Sequence, residues 1–230
     1  MDEKLKIIYL ASFHHPDLVE KNFDLAWNIN IVSLCRFLGD IGKFYSFFYS
    51  STDSVYGNGT LETQFCEEDA LNPINSYGQQ KVLSEKISLT HFGRVVRFPF
   101  LIGPSKSENK LHFFDEIVTD LKEKKVVKLF KDSYRSTLSF ELAADLLVEV
   151  TEKPVEEVPL ILNIASDEGI SKYDVGLKIA QKYGLDEKLI EPIHQDQSSD
   201  IFQVPRAFIT ALDNRKLKRL LGLKKINYEV

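Results

Sequence analysis

The sequence predicts an α/β protein built on a mostly parallel sheet with helices on both faces. Three observations predict it. The short apolar runs lack the strict alternation of a half-exposed strand. Helical patterns separate these runs, so successive strands need crossover connections. At 230 residues the chain is long enough for one domain, or one domain plus a small lobe.

Each element has its own reason. Lys6 to Ala11 (KIIYLA) is a short apolar run, read as a buried strand. Asp17 to Leu38 carries Leu25, Ala26, Ile29, Val32, Leu34 and Phe37 at helical spacing, with Gly39 where the helix should stop. Tyr45 to Ser51 is aromatic-rich and strand-like, and Asn58-Gly59 signals a turn. Asn72-Pro73 precedes a helix from Ser76 to His91. Arg94 to Leu101 reads as the next strand, ended by Gly103-Pro104. Leu111 to Lys124 is helical, Val126 to Phe130 a short strand and Phe140 to Thr151 a helix. Pro159 to Ala165 is a continuous apolar strand. Ser171 caps a helix to Tyr183, and Gly222 closes a last one from Asp213 to Leu221. Gly103 to Lys110 and Gln195 to Gln203 read as polar linkers.

Composition narrows the function. Apolar residues make up 43% and charged residues 27%, an ordinary globular balance. A formal charge of −5 argues against a broadly basic nucleic-acid binder. Cys35 and Cys66 cannot form a disulfide framework or a Cys-rich zinc site, and fit a reduced, cytoplasmic setting. No run of 18 apolar residues predicts a membrane span. The opening MDEKLK-IIYLA lacks the long apolar core and the small-residue site of a signal peptide.

Chemistry concentrates at Tyr77 and Lys81. Their i,i+4 spacing at a helix start puts both on one face. A Lys ammonium beside the phenol is expected to lower the Tyr pKa, so that Tyr77 exchanges a proton with a substrate oxygen near neutral pH. A solvated surface pair would show the same spacing. Thr52 ends a strand 25 residues earlier. Open α/β sheets bind ligands at such carboxyl ends, and a Thr hydroxyl there can hold the same oxygen. His14 and His15 follow the first strand; a loop His pair of this kind is ordinarily solvated, and no metal spacing accompanies it. The Lys122, Lys124, Lys125, Lys128 and Lys131 cluster reads as a solvated face. Trp27 and the Phe-rich strand read as core or dimer packing.

These residues resemble a known family. Ser51-Thr52-Asp53 with Val55-Tyr56, then Asn72-Pro73-Ile74-Asn75-Ser76-Tyr77-Gly78 and Lys81 with Glu85, are similar to the extended short-chain dehydrogenase/reductases that act on nucleotide sugars, within the epimerase/dehydratase superfamily. The dTDP-4-dehydrorhamnose reductase group is the nearest resemblance. Leu10-Ala11-Ser12-Phe13, Arg97-Phe98-Pro99, Arg135-Ser136-Thr137 and Val204-Pro205-Arg206 through Leu212-Asp213-Asn214 extend the match along nearly the whole chain.

The resemblance implies a Rossmann-like parallel sheet, N-terminally shortened, with a small C-terminal substrate lobe. Residues 1–104 would form the residual Rossmann half and 105–230 the lobe plus the last sheet strand. It implies reduction of a 4-keto nucleotide sugar with NAD or NADP. Thr52, Tyr77 and Lys81 would be catalytic and are expected to converge on one cleft. Ala11, Ser12, Tyr77, Lys81 and Pro99 would face the cofactor, and Asp53, Arg135 and Arg206 the substrate. In dehydratase relatives a carboxylate beside Thr52 is followed by a Glu; Ser54 stands there, which disfavours dehydration.

One element is missing. The family opens with a strand, a Gly-rich turn and a helix that cradle the pyrophosphate. Gly39-x-x-Gly42 and Gly57-x-Gly59 lack the strand-turn-helix context or the third Gly. The first strand matches the family's fourth, so two units totalling about 60 residues have no counterpart. The chain would be truly shortened, completed by a second polypeptide, or begun from a start downstream of the real one. Isolated, it is expected to bind NAD(P) weakly or not at all. The contrasting reading is a non-catalytic protein that binds sugar nucleotides or serves as a partner subunit. With its usual neighbour missing, Lys6 to Ala11 would be an open edge blunted only by Lys4 and Lys6, and the chain is expected to self-associate.

Overall fold

The computed structural model describes residues 5–106, 111–195, 197 and 201–228. Lys4 and parts of both expected linkers lie outside these residues. Four parallel strands form the main sheet: β1 (Lys6–Tyr9), β2 (Ser46–Thr52), β3 (Arg94–Phe98) and, late in the chain, Ile161–Asn163. Their order is that of the chain, so each crossover steps to the next strand. The registers Ile8↔Phe48, Ser51↔Arg97 and Val96↔Leu162 fix their alignment.

Burial on both faces explains the continuous apolar runs. Phe47 and Tyr49 point to one face, against Leu34, Leu38 and Ile87. Phe48, Val96 and Phe98 point to the other, against Ala143, Leu146, Leu147, Val150 and Leu217. The helices of the first face are α1 (Pro16–Lys21), α2 (Phe23–Trp27), α3 (Ser33–Asp40) and α4 (Ser76–Thr90). The expected single helix over 17–38 is broken at Asn22 and carries a π-helical turn at Asn28–Val32. It also runs through Gly39 to Asp40 and does not stop there. The buried Asn30 explains the irregularity: its side chain bonds Phe13 backbone atoms and Gln80, which draws this segment into the polar contacts below β1.

A second correction concerns 94–101. The strand ends at Phe98 because Pro99 cannot donate to the ladder. The chain resumes as β4 (Leu101–Ile102), paired with β7 (Leu138–Ser139). Between them come α5 (Phe113–Lys122), β5 (Val127–Phe130) and β6 (Tyr134–Arg135). After β7 follow α6 (Phe140–Glu152), the sheet strand Ile161–Asn163 as β8, β9 (Ile170–Ser171) and α7 (Lys172–Tyr183). The last elements are β10 (Ile190–Ile193), β11 (Ile209–Thr210) and α8 (Arg215–Leu221). β6, β7, β9 and β11 are two residues long, too short for a periodic signal. Ser171 caps α7 by accepting from the Asp174 amide, and Gly222 closes α8 at φ +71°.

A buried polar network ties β3 to α4. The Arg97 guanidinium donates to both Glu85 carboxylate oxygens at 2.9 and 2.7 Å, and to the Tyr56 hydroxyl at 2.6 Å. Ser51 donates to the same Glu85 at 2.5 Å. The bidentate geometry compensates the desolvation of two buried ions. Trp27 is 38% exposed and stacks on Phe23, so it is not core. Among the described residues, no helix is long and apolar enough to cross a membrane.

Candidate functional site

The site forms at the carboxyl end of β2. Thr52 is the last residue of that strand, half-buried, with extended backbone. The next three residues, Asp53–Val55, turn as a 3₁₀ helix, and the Thr52 oxygen accepts from the Ser54 amide at 3.2 Å. Tyr77 sits in the first turn of α4, capped by Asn75, whose side chain accepts from the Gly78 amide at 3.0 Å. Its ring packs with Val19, Ala26 and Phe13. The Thr52 side chain approaches the Tyr77 hydroxyl closely enough to oppose the rise in its pKa. The expected meeting of these two residues is therefore present.

Lys81 is one turn further along α4 and 4% exposed. Its ammonium donates to the Ser50 carbonyl at 2.8 Å and lies 4.8 Å from the Tyr49 ring centroid. Burial pushes its pKa down to about 8, opposed by Glu85. The expected electrostatic effect on Tyr77 is overturned. The phenol's pKa is raised, first by burial and then by Asp53, with only Thr52 opposing. Spacing along the helix gave the shared face; it could not give the degree of burial, which dominates.

The three substrate candidates are all committed to partners. Asp53 is buried, takes the Arg135 Nε at 3.1 Å, and accepts a short hydrogen bond from Thr210. Arg135 also donates to the Ala207 carbonyl. Burial lowers its pKa and Asp53 opposes that shift. Arg206 pairs with Asp17 at 2.7 Å, and the same carboxylate accepts from the Val204 amide at 3.1 Å. The Asn75 side chain donates to the Pro205 carbonyl at 3.0 Å, so the 204–206 segment is pinned across the start of α4. Thr210 and Asp17 thus enter the site although neither was expected to have a role there. Each belongs to a pair separated by more than 150 residues, beyond any local pattern.

The cofactor candidates fall into two groups. Ala11 is exposed and Ser12 half-buried, in the turn between β1 and α1; the Ser12 hydroxyl and the Phe13 amide both donate to Asn30, at 3.2 and 2.7 Å. Pro99 is buried after β3. Ala11, Ser12 and Pro99 thus lie just beyond the carboxyl ends of β1 and β3. The turn after β1 holds no glycine, and no described strand leads through a Gly-rich turn into a helix, so these residues do not fit the pyrophosphate. His14 and His15 are exposed in the same turn. Among the described residues no three His, Cys, Asp or Glu side chains are grouped to hold a metal ion.

A parallel sheet with helices on both faces and polar side chains gathered at its carboxyl end is a Rossmann-like fold. Comparison with known proteins agrees. The model of the family described as "RmlD substrate binding domain" matches residues 2–230, and the chain belongs to that family. A dTDP-4-dehydrorhamnose reductase from Bacillus anthracis, solved with NADP, superposes with a TM-score of 0.82 at 18% identity, covering 98% of this chain and 77% of that one. MoeE5, solved with UDP-glucuronic acid and NAD, gives a TM-score of 0.79 at 18% identity, covering 96% and 74%. Methionine adenosyltransferase 2 subunit beta of Xenopus laevis is 25% identical over 224 residues. The match takes in 93% of this chain, which spans 64% of that relative's length.

Proposed function

We propose that the chain handles 4-keto nucleotide sugars in the manner of a dTDP-4-dehydrorhamnose reductase. The observation that carries this reading is the approach of Thr52 to the Tyr77 hydroxyl at the end of β2, beside the buried Asp53–Arg135 pair. A carbonyl oxygen placed there accepts from the Thr52 hydroxyl and takes a proton from Tyr77. The raised Tyr77 pKa keeps the phenol protonated at neutral pH and makes it a weak acid, so in this reading bound substrate and cofactor change its surroundings before it donates. Lys81, held on the Ser50 carbonyl, fixes the sheet end beneath the pair and acts as a positioning residue. NAD or NADP, when bound, supplies the hydride. Ala11, Ser12 and Pro99 would line its nicotinamide end, and binding by this chain alone would be weak. Residues 1–104 carry the oxygen-handling pair in this reading, and 105–230 the substrate lobe with β8. The two free cysteines fit a cytoplasmic setting.

The test is NADPH consumption at saturating cofactor with a dTDP-4-keto-6-deoxy sugar. Tyr77→Phe should fold as the parent does and slow the reaction about a hundredfold or more, the usual contribution of a general acid. An unchanged rate in Tyr77→Phe would remove Tyr77 from the chemistry.

A second reading has its own support. The Xenopus relative carries a subunit name, and β1 presents an open edge among the described residues. The chain would then act as a non-catalytic subunit that keeps the nucleotide-sugar site as a ligand sensor. Binding without turnover would favour it.

A further inference from the structure

We propose that Asn58-Gly59 is a site of spontaneous deamidation, that docking of the 208–210 segment holds the reaction in check, and that conversion to isoaspartate releases this segment. The proposal does not rest on the reductase reading.

Asn58-Gly59 has the sequence of a turn, but the chain does not turn there; the turn follows at Leu61 and Glu62. The pair is instead fastened to a distant part of the chain. The Asn58 Oδ1 accepts from the Phe208 and Ile209 amides at 2.6 and 3.3 Å. The Gly59 amide donates to the Ile209 carbonyl at 2.8 Å. The pairing continues where the Phe65 amide donates to the Ala211 carbonyl at 2.8 Å and the Asp213 amide to the Phe65 carbonyl at 2.9 Å. The docked segment serves the candidate site, because Arg135 donates to the Ala207 carbonyl and Thr210 to Asp53. A Cβ at position 59 would lie 2.9 Å from the Phe65 ring. Packing therefore demands the glycine that leaves Asn58 vulnerable.

Asn58 is exposed, and a following glycine puts no side chain in the way of attack on its amide. In the reaction the Gly59 nitrogen loses its proton and bonds to the Asn58 Cγ. The Cγ–Nδ2 bond breaks, and ammonia leaves with that proton. Water then opens the succinimide ring at either carbonyl, giving aspartate or isoaspartate. In the docked state the attacking nitrogen keeps its proton in the bond to Ile209. The two amides on Oδ1 polarise Cγ as an oxyanion hole would, but the attacker is withheld. Undocking frees the nitrogen, so the rate follows the fraction of time for which the segment is open. The two products differ in consequence. Aspartate keeps an oxygen where Oδ1 stands and still accepts from both amides. Isoaspartate adds a methylene to the main chain and displaces the Gly59 amide from Ile209.

The test follows the intact chain at neutral pH, folded and in denaturing urea, with aspartate and isoaspartate at position 58 counted by peptide mass spectrometry. The folded chain should convert measurably, but about tenfold or more slowly than the unfolded one, and hydrogen exchange at the Gly59 amide should be slowed by a similar factor. The isoaspartyl form, separated by chromatography, should exchange faster than the parent across 207–212. Freshly purified Asn58→Asp should keep the parent's protection there. Equal rates in the folded and unfolded chains, or conversion in urea alone, would overturn the proposal. So would unchanged exchange across 207–212 in the isoaspartyl form, or an equal loss of protection in Asn58→Asp. The rate comparison uses the unmutated protein and so stands even if the variant misfolds.

Discussion

Lys81 shows how burial rewrites a residue's role. The pattern Tyr77-x-x-x-Lys81 placed both side chains on one face of α4, and that much was legible. The direction of the Tyr77 shift was not, because it depends on Val19, Ala26 and Asp53, residues brought in by the fold. Lys81 also carries a consequence for stability. Its folded pKa of about 8 lies below its ordinary 10.5, so between these values the unfolded chain binds more protons than the folded one. Stability then rises with pH across that window, as the cost of burying the ammonium disappears. Chemical denaturation at pH 7.5 and 9.5 should show the parent gaining stability relative to Lys81→Met. Parallel behaviour of the two proteins would remove Lys81 as the source. The network of Arg97, Glu85, Tyr56 and Ser51 belongs to the same scale. Its members stood in the sequence as separate motif residues, and only the register Ser51↔Arg97 brings them together.

Helix α4 is the element on which the site depends, and its start was read correctly because Asn75 and Ser76 follow a proline-marked loop. Asn75 does more than cap. Its carbonyl oxygen accepts from Gly78 while its amide donates to Pro205, coupling the helix that carries Tyr77 to the segment that carries Arg206. Asn75→Ala should lose about 1–2 kcal/mol in urea unfolding, the typical range for a lost N-cap. Asn75→Asp keeps the acceptor and should recover most of that loss. Equal losses in the two variants would show that the cap is not what stabilises the helix. The elements that escaped the sequence have a common cause. β6, β7, β9 and β11 are pairs of residues held by distant partners, and the split of 94–102 into two strands follows from Pro99 together with a partner at Leu138. The π-helical turn at Asn28–Val32 likewise holds Asn30, whose side chain is bonded to distant Phe13 and Gln80.

At the scale of the molecule, the order β1-β2-β3-β8 leaves one side of β1 without a strand among the described residues. Ile8 is 37% and Leu10 62% exposed beside that edge, while Ile7 and Tyr9 pack inward. An open edge with apolar neighbours invites pairing with another chain. Lys6 is turned to Glu152 at 3.1 Å and guards only one position. Sedimentation at high micromolar concentration should show self-association that Ile8→Lys with Leu10→Lys reduces. A strictly monomeric parent would contradict this reading of the edge. The open edge was legible because the first apolar run resembled a strand that is ordinarily central; the parallel order of the sheet followed from alternating strand and helix patterns. The charge pairing around Asp53 was not, since it joins the turn after β2 to Arg135 in β6 and Thr210 in β11.

The most direct measurement is a calorimetric titration of the chain with dTDP-rhamnose, repeated with Thr52→Val and Arg206→Ala. Saturable binding in the micromolar range, weakened about tenfold by Arg206→Ala and less by Thr52→Val, is expected if the carboxyl end of β2 and the 204–206 segment form one nucleotide-sugar site. No binding to the parent, or equal binding by all three proteins, would contradict it.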